Sequence, residues 1–156
     1  MVGGVLAAGQ TRCEAAARCG IPQVVSVGAM DMVNFGPFDT VPQKFAGRNL
    51  YKHNPTVTLM RTTADENRKV GEKLAEKLNL ASGKTALLLP LKGVSAIDAE
   101  GQPFYGPKED QVLFQTLRDG VNRDAVEIME LDYNINDKEF AVCAAEKLME
   151  LMEREV

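Results

Sequence analysis

The chain holds one histidine, three cysteines and three serines in 156 residues, so few arrangements of nucleophile, base or metal ligand are open to it. His53 is the only side chain that titrates near neutrality unaided, which makes it the first candidate for a general base, although a lone histidine also serves as a packed structural residue. Metal sites that need two histidines are excluded. With only Ser26, Ser82 and Ser95 and no G-x-S-x-G elbow, a Ser–His–acid hydrolase finds no support. Cys13, Cys19 and Cys143 make no C-x-x-C pair and read as reduced thiols used as small buried hydrophobes.

Phosphate binding needs glycines that let backbone amides approach the anion, followed by a helix start. Neither G-x-x-x-x-G-K-[ST] nor G-x-G-x-x-G occurs. Two weaker substitutes do: Lys92-Gly93-Val94-Ser95, and Arg61-Thr62-Thr63 ahead of a helix, which offers a guanidinium, two hydroxyls and free amides together. The alternative for the second is an ordinary helix cap with a surface arginine. Asp98 is placed to hold a magnesium ion through water, with loop packing around Phe104 as the competing role.

Charge supports a small anionic ligand. The net charge is −4, but residues 1–78 carry 10 basic against 7 acidic side chains and residues 79–156 carry 8 against 15. No acid lies between Asp39 and Asp65, while Lys44, Arg48, Lys52 and Arg61 all do, so the local potential favours a phosphorylated or carboxylated molecule. A nucleic-acid binder would show a basic total and a denser Lys/Arg stripe with aromatics between. No apolar run approaches the roughly 20 residues needed to span a bilayer and no secretory leader is evident, so a cytoplasmic protein with no membrane contact is expected.

The elements that must position these residues alternate. Residues 11–19 read as a helix stopped by Gly20 and Pro22; Gln23–Val27, Asn49–His53, Thr85–Leu91 and Ala125–Leu131 read as strands. Thr63 and Glu66 form a capping box opening a helix whose inner stripe is Val70, Leu74 and Leu78. Pro107 opens another that closes at Gly120, and a long helix runs from Asp137 to about Arg154 with an acidic stripe opposite an apolar one. Strands alternating with helices predict one α/β domain over residues 1–156: three layers, Rossmann-like, with a mainly parallel sheet and helices on both faces. In such sheets ligands sit off the carboxyl ends of the strands. The polar residues following each strand therefore gather on one edge: Asp31 and Asn34; His53, Asn54, Arg61, Thr62 and Thr63; Ser95 and Asp98; Asn134, Asn136 and Asp137. Turn and helix-cap roles compete for the last three.

Four stretches, Ile21–Gly36 (IPQVVSVGAMDMVNFG), Asn49–Thr63 (NLYKHNPTVTLMRTT), Leu87–Asp98 (LLLPLKGVSAID) and Asn134–Asp137 (NIND), resemble the second subdomain of the ATP-binding domain family typified by the tomato mosaic virus resistance protein, which has bacterial members. The resemblance runs over essentially the whole chain. It implies two Rossmann-like subdomains side by side, of which this chain is the C-terminal one, beginning inside it, with ATP and magnesium as cofactors of the full-length protein. The glycine-rich phosphate stretch of that family belongs to the preceding subdomain and has no counterpart here. By position the resemblance marks His53, Asn54, Arg61, Thr62, Thr63, Ser95, Asp98 and Asn136 as motif residues. Two functions follow as expectations. The first is a nucleotide- or phosphorylated-metabolite-binding domain with His53 and Asp98 in catalytic roles if the whole protein is an enzyme. The second is an inhibitory module that binds a partner protein, as the plant member binds a viral replication protein. Met30, Met32, Phe35 and Phe38 around Pro37 are the candidate exposed patch, with core or a homodimer seam as alternatives, and a truncated sheet edge favours the homodimer.

Overall fold

The computed structural model describes residues 2–153, so the Arg154 end of the last expected helix lies outside them. The chain is α/β, with two three-stranded sheets. In the first, β1 (Gln23–Ser26), β5 (Thr85–Pro90) and β6 (Val126–Leu131) run parallel in the order β1-β5-β6. Every residue of β5 is buried, which is why its sequence TALLLP lacks alternation. Val27, Leu87, Leu89 and Val126 pack on one face against Leu74 and Leu78 of α2 (Ala64–Leu78) and Leu113 and Leu117 of α3 (Pro107–Gly120). Ala86 and Leu88 pack on the other against Phe140 and Leu151 of α4 (Lys138–Met152).

The second sheet corrects the expectation of a mainly parallel arrangement. β2 (Met32–Phe35), β3 (Leu50–Asn54) and β4 (Val57–Arg61) are antiparallel in the order β2-β4-β3. The strand at Asn49–His53 exists, but it turns straight back through Asn54-Pro55-Thr56, where Asn54 Oδ1 accepts from the Thr56 amide at 2.9 Å. That Asx turn makes a hairpin instead of a crossover. The first helix, α1 (Ala15–Cys19), is also shorter than residues 11–19, because Cys13 adopts a left-handed φ of 65° that ends helical geometry before Glu14. Cys13 and Cys19 are exposed, and only Cys143 is partly covered, so the first two are not the buried hydrophobes expected.

The proposed patch around Pro37 divides. Phe35 is 3% exposed and packs with Phe45 and Met60 in the core of the second sheet, whereas Phe38 is 50% exposed. Phe35→Ser should therefore lower stability by about 3 kcal/mol or more and Phe38→Ser by less than about 0.5 kcal/mol, measured by urea denaturation. Equal effects would contradict this packing.

Candidate functional site

Loops from several strands meet at the carboxyl edge of the parallel sheet and are cross-bonded there. After β1, the Ala29 amide donates to Val94 O at 2.8 Å. The Asp31 carboxylate accepts from Ser95 Oγ at 2.7 Å. At the end of β4, Thr62 donates its amide to Asp31 O and its hydroxyl to Met30 O, at 2.8 and 3.0 Å. After β6, Asn134 Nδ2 donates to the carbonyls of Lys92, Ser95 and Asp98 at 3.3, 3.0 and 3.4 Å. Gly93 makes that approach possible: its φ is +127°, and a Cβ there would lie 1.7 Å from Asp98 O and 2.6 Å from Asn134 Nδ2.

Arg61 is the centre of this rim, and it is 7% exposed. Its Nε donates to Phe104 O at 2.8 Å, and Nη1 to Asp31 O and Thr62 Oγ1 at 3.4 and 3.2 Å. Nη2 faces Asp110 Oδ1, Gly106 O and Asp98 Oδ1 at 2.8, 3.2 and 3.4 Å. All five N–H groups are thus engaged with protein acceptors, so the guanidinium is a tie between the second sheet, the loop after β5 and the start of α3. It has no donor left for an anion. Arg48, from the same basic stretch, pairs with Glu66 at 2.6 Å.

Three buried carboxyls surround this one guanidinium. Burial pushes the Asp31 carboxyl above its ordinary value, the Ser95 bond opposes that, and the Asp98 charge adds to it. Asp31 Oδ1 has no hydrogen-bond partner among the described residues. Burial also pushes Asp110 up, to about 7, with the Arg61 bond opposing and the Asp98 charge reinforcing. Because the folded state raises this group above its unfolded value near 3.8, its contribution to stability is full below about pH 4 and is lost as pH rises through about 7. Asp110→Asn, which keeps an acceptor for Arg61, should remove that loss. Urea midpoints of wild type and variant should diverge between about pH 4 and pH 7 by the equivalent of about 3 kcal/mol, with the variant favoured at the upper end. Parallel profiles would contradict the assignment.

Beside the rim lies a cleft of about 660 Å³, bounded by Lys92 and Gly93 after β5, Glu100 and Tyr105 in the following loop, Asp110, Gln111 and Arg118 of α3, and Glu130, Asn134 and Asp137 of β6 and its loop. Acids outnumber bases among these side chains. Arg118 is bound to Glu130 at 2.7 Å, and Lys92 pairs with Asp132 at 2.9 Å, which raises the Lys92 ammonium above its usual value.

The residues expected from sequence fall in three places. Arg61, Thr62, Ser95 and Asp98 are brought together in the rim, buried. Asp98 accepts from the Val94 and Gly106 amides at 2.9 and 3.2 Å as well as from Arg61, so both its oxygens are occupied and its setting does not suit a magnesium ligand. Thr63 is the cap of α2, accepting from the Glu66 amide at 3.3 Å while Glu66 accepts from the Thr63 amide at 2.8 Å. His53 and Asn54 are exposed at the β3–β4 turn, and His53 stacks loosely near Tyr51 with ring centroids 6.5 Å apart. Four residues of strand separate the Val57 start of β4, beside that turn, from Arg61, roughly 13 Å at the usual rise. Asn136 is exposed and donates to Asn134 Oδ1 at 2.9 Å through its amide. No spacing in the sequence marks Tyr105 or Gln111 as a site, yet both line the cleft with Asp110. Asp110 had a signal: with Leu113 and Leu117 it falls at i, i+3 and i+7, on the inner stripe of α3.

The sequence matches the model of the uncharacterised protein family UPF0261 C-terminal domain over residues 1–152. A UPF0261 protein of Clostridium tetani is 62% identical over 154 residues, which covers 99% of this chain and 38% of that protein. A UPF0261 protein of Rhizobium meliloti is 50% identical, covering 91% of this chain and 36% of its own length. The ToMV resistance protein Tm-1 of Solanum lycopersicum is 45% identical over 152 residues, 97% of this chain and 20% of the plant protein. The chain therefore spans well under half of each of these relatives. With a family match over nearly its whole length and relatives this similar, the chain belongs to the UPF0261 C-terminal domain family.

Proposed function

We propose that this chain is a Rossmann-like subdomain that binds the hydroxyl-bearing, non-phosphate portion of a nucleotide or phosphorylated metabolite in the cleft at the carboxyl edge of β5 and β6. The observation that carries the reading is the composition of that cleft. It offers carboxylate acceptors in Glu100, Asp110 and Asp137, the Gln111 amide, and a half-exposed aromatic ring in Tyr105, while its cations are already paired. Sugar hydroxyls and a flat base suit such a lining; a triphosphate does not. Phosphates, with any magnesium, would be held by the part of the longer relatives that lies outside the matched stretch. In the whole protein Asp110 would be the proton-accepting group at the ligand, since it lines the cleft with its other oxygen held by Arg61.

Isothermal titration of adenosine and of ATP with magnesium into this chain tests the proposal. Similar affinities are expected, because the triphosphate adds no contact here, and Tyr105→Ala with Gln111→Ala should weaken both by about tenfold. An affinity that depends on the triphosphate, or that survives both substitutions, would contradict it.

A further inference from the structure

Helix α4 is apolar around far more of its circumference than a helix resting on one sheet requires. Phe140, Ala144 and Leu151 meet the sheet, and Lys147 reaches Glu127 of β6 at 2.8 Å, so the Lys147 side of the helix lies over β6. At 100° per residue the flank on the other side of the sheet-facing stripe consists of Leu148, Ala141, Met152 and Ala145, while Val142 and Met149 point away from the sheet. Only Leu148 of these is even half-buried; Ala141 and Ala145 are exposed, and Met152 is 63% exposed. Because α4 also packs over β1, this flank overhangs the outer edge of β1.

That edge is itself open. β1 pairs only with β5 among the described residues, and its sequence QVVS has no charge. The opposite edge is protected in the usual way, with Glu127 and Glu130 of β6 tied to Lys147 and Arg118. A protected edge on one side and a bare edge under an apolar helix flank on the other is an asymmetry that requires a partner.

We infer that the β1 edge and the α4 flank together seat a further β-strand and its helix, supplied by the polypeptide that the longer relatives carry outside the matched stretch. A strand alone would cover only the edge, and a helix alone only the flank; a strand with its helix buries both, as successive units of a layered α/β sheet do. The Clostridium tetani relative has more than half of its length available for this, since the match takes up 38% of it.

The test joins this chain to the portion of the Clostridium tetani protein that its match leaves out, and compares the joined and unjoined proteins by hydrogen exchange and light scattering. Exchange at Val24–Ser26 and along residues 141–152 should slow by about tenfold or more on joining, with both proteins monomeric. Ala145→Glu with Met152→Glu should leave the melting temperature of the unjoined chain unchanged, because those side chains are exposed, and lower that of the joined protein. Unchanged exchange in the joined protein, its failure to fold, or an unjoined chain that dimerises through this face would each overturn the inference.

Discussion

Arg61→Met should unfold the protein or lower its stability by about 3–5 kcal/mol, the cost typical of removing one member of a buried charge cluster. The change deletes bonds to the carbonyls of Asp31, Phe104 and Gly106 and leaves Asp98 and Asp110 buried without their cation. Arg61→Lys should recover little, since one ammonium cannot reach acceptors spread around a planar fork. The origin of the effect is separable. In an Asp98→Asn, Asp110→Asn background the same Arg61→Met change should cost at least about 1.5 kcal/mol less, because the two carboxylates that the guanidinium bonds directly are then neutral amides. Equal costs in both backgrounds, read from denaturant unfolding, would mean that carbonyl bonding alone fixes the arginine.

Gly93→Ala should be nearly as damaging, by about 4 kcal/mol, for a different reason. A methyl group would have to occupy space 1.7 Å from Asp98 O, on a residue whose φ of +127° is reserved in practice for glycine. Relief would require separating the loop after β5 from Asn134, which opens the rim. Gly101 provides the control: its φ is +79°, but no atom lies within 4 Å of a Cβ there, so Gly101→Ala should cost only about 1 kcal/mol of backbone strain. Comparable losses at the two positions would show that the close approach at Gly93 is not what holds the loops together.

These predictions rest on side chains whose roles were unevenly legible in the sequence. The β1, β5 and β6 strands and the three long helices follow from periodicity and caps, and the Thr63–Glu66 capping box was readable outright. The second sheet was hidden because β4 (VTLMR) is almost wholly buried and shows no alternation, and β2 (MVNF) is only four residues long. The Asn-Pro step before β4 was the available hint of a turn. Convergence of the loops after β1, β5 and β6 on one edge was legible because parallel topology forces it, but the antiparallel hairpin carries His53 and Asn54 away from that edge. The direction in which Arg61 points was not. A basic run suggests an anion site, but the neutralising groups for Arg48 and Arg61 are Glu66, Asp98 and Asp110, the last two 37 and 49 residues away along the chain. Charge counted locally cannot register partners supplied by folding.

The reading of the cleft depends on its taking up the uncharged part of a ligand. The most direct measurement is heteronuclear NMR of the isotopically labelled chain during separate titrations with adenosine and with inorganic phosphate. Adenosine should shift Tyr105, the Gln111 side-chain amide and the backbone around Glu100, and phosphate should shift none of them. Phosphate moving those signals, or adenosine acting only on the hairpin around His53, would contradict the account.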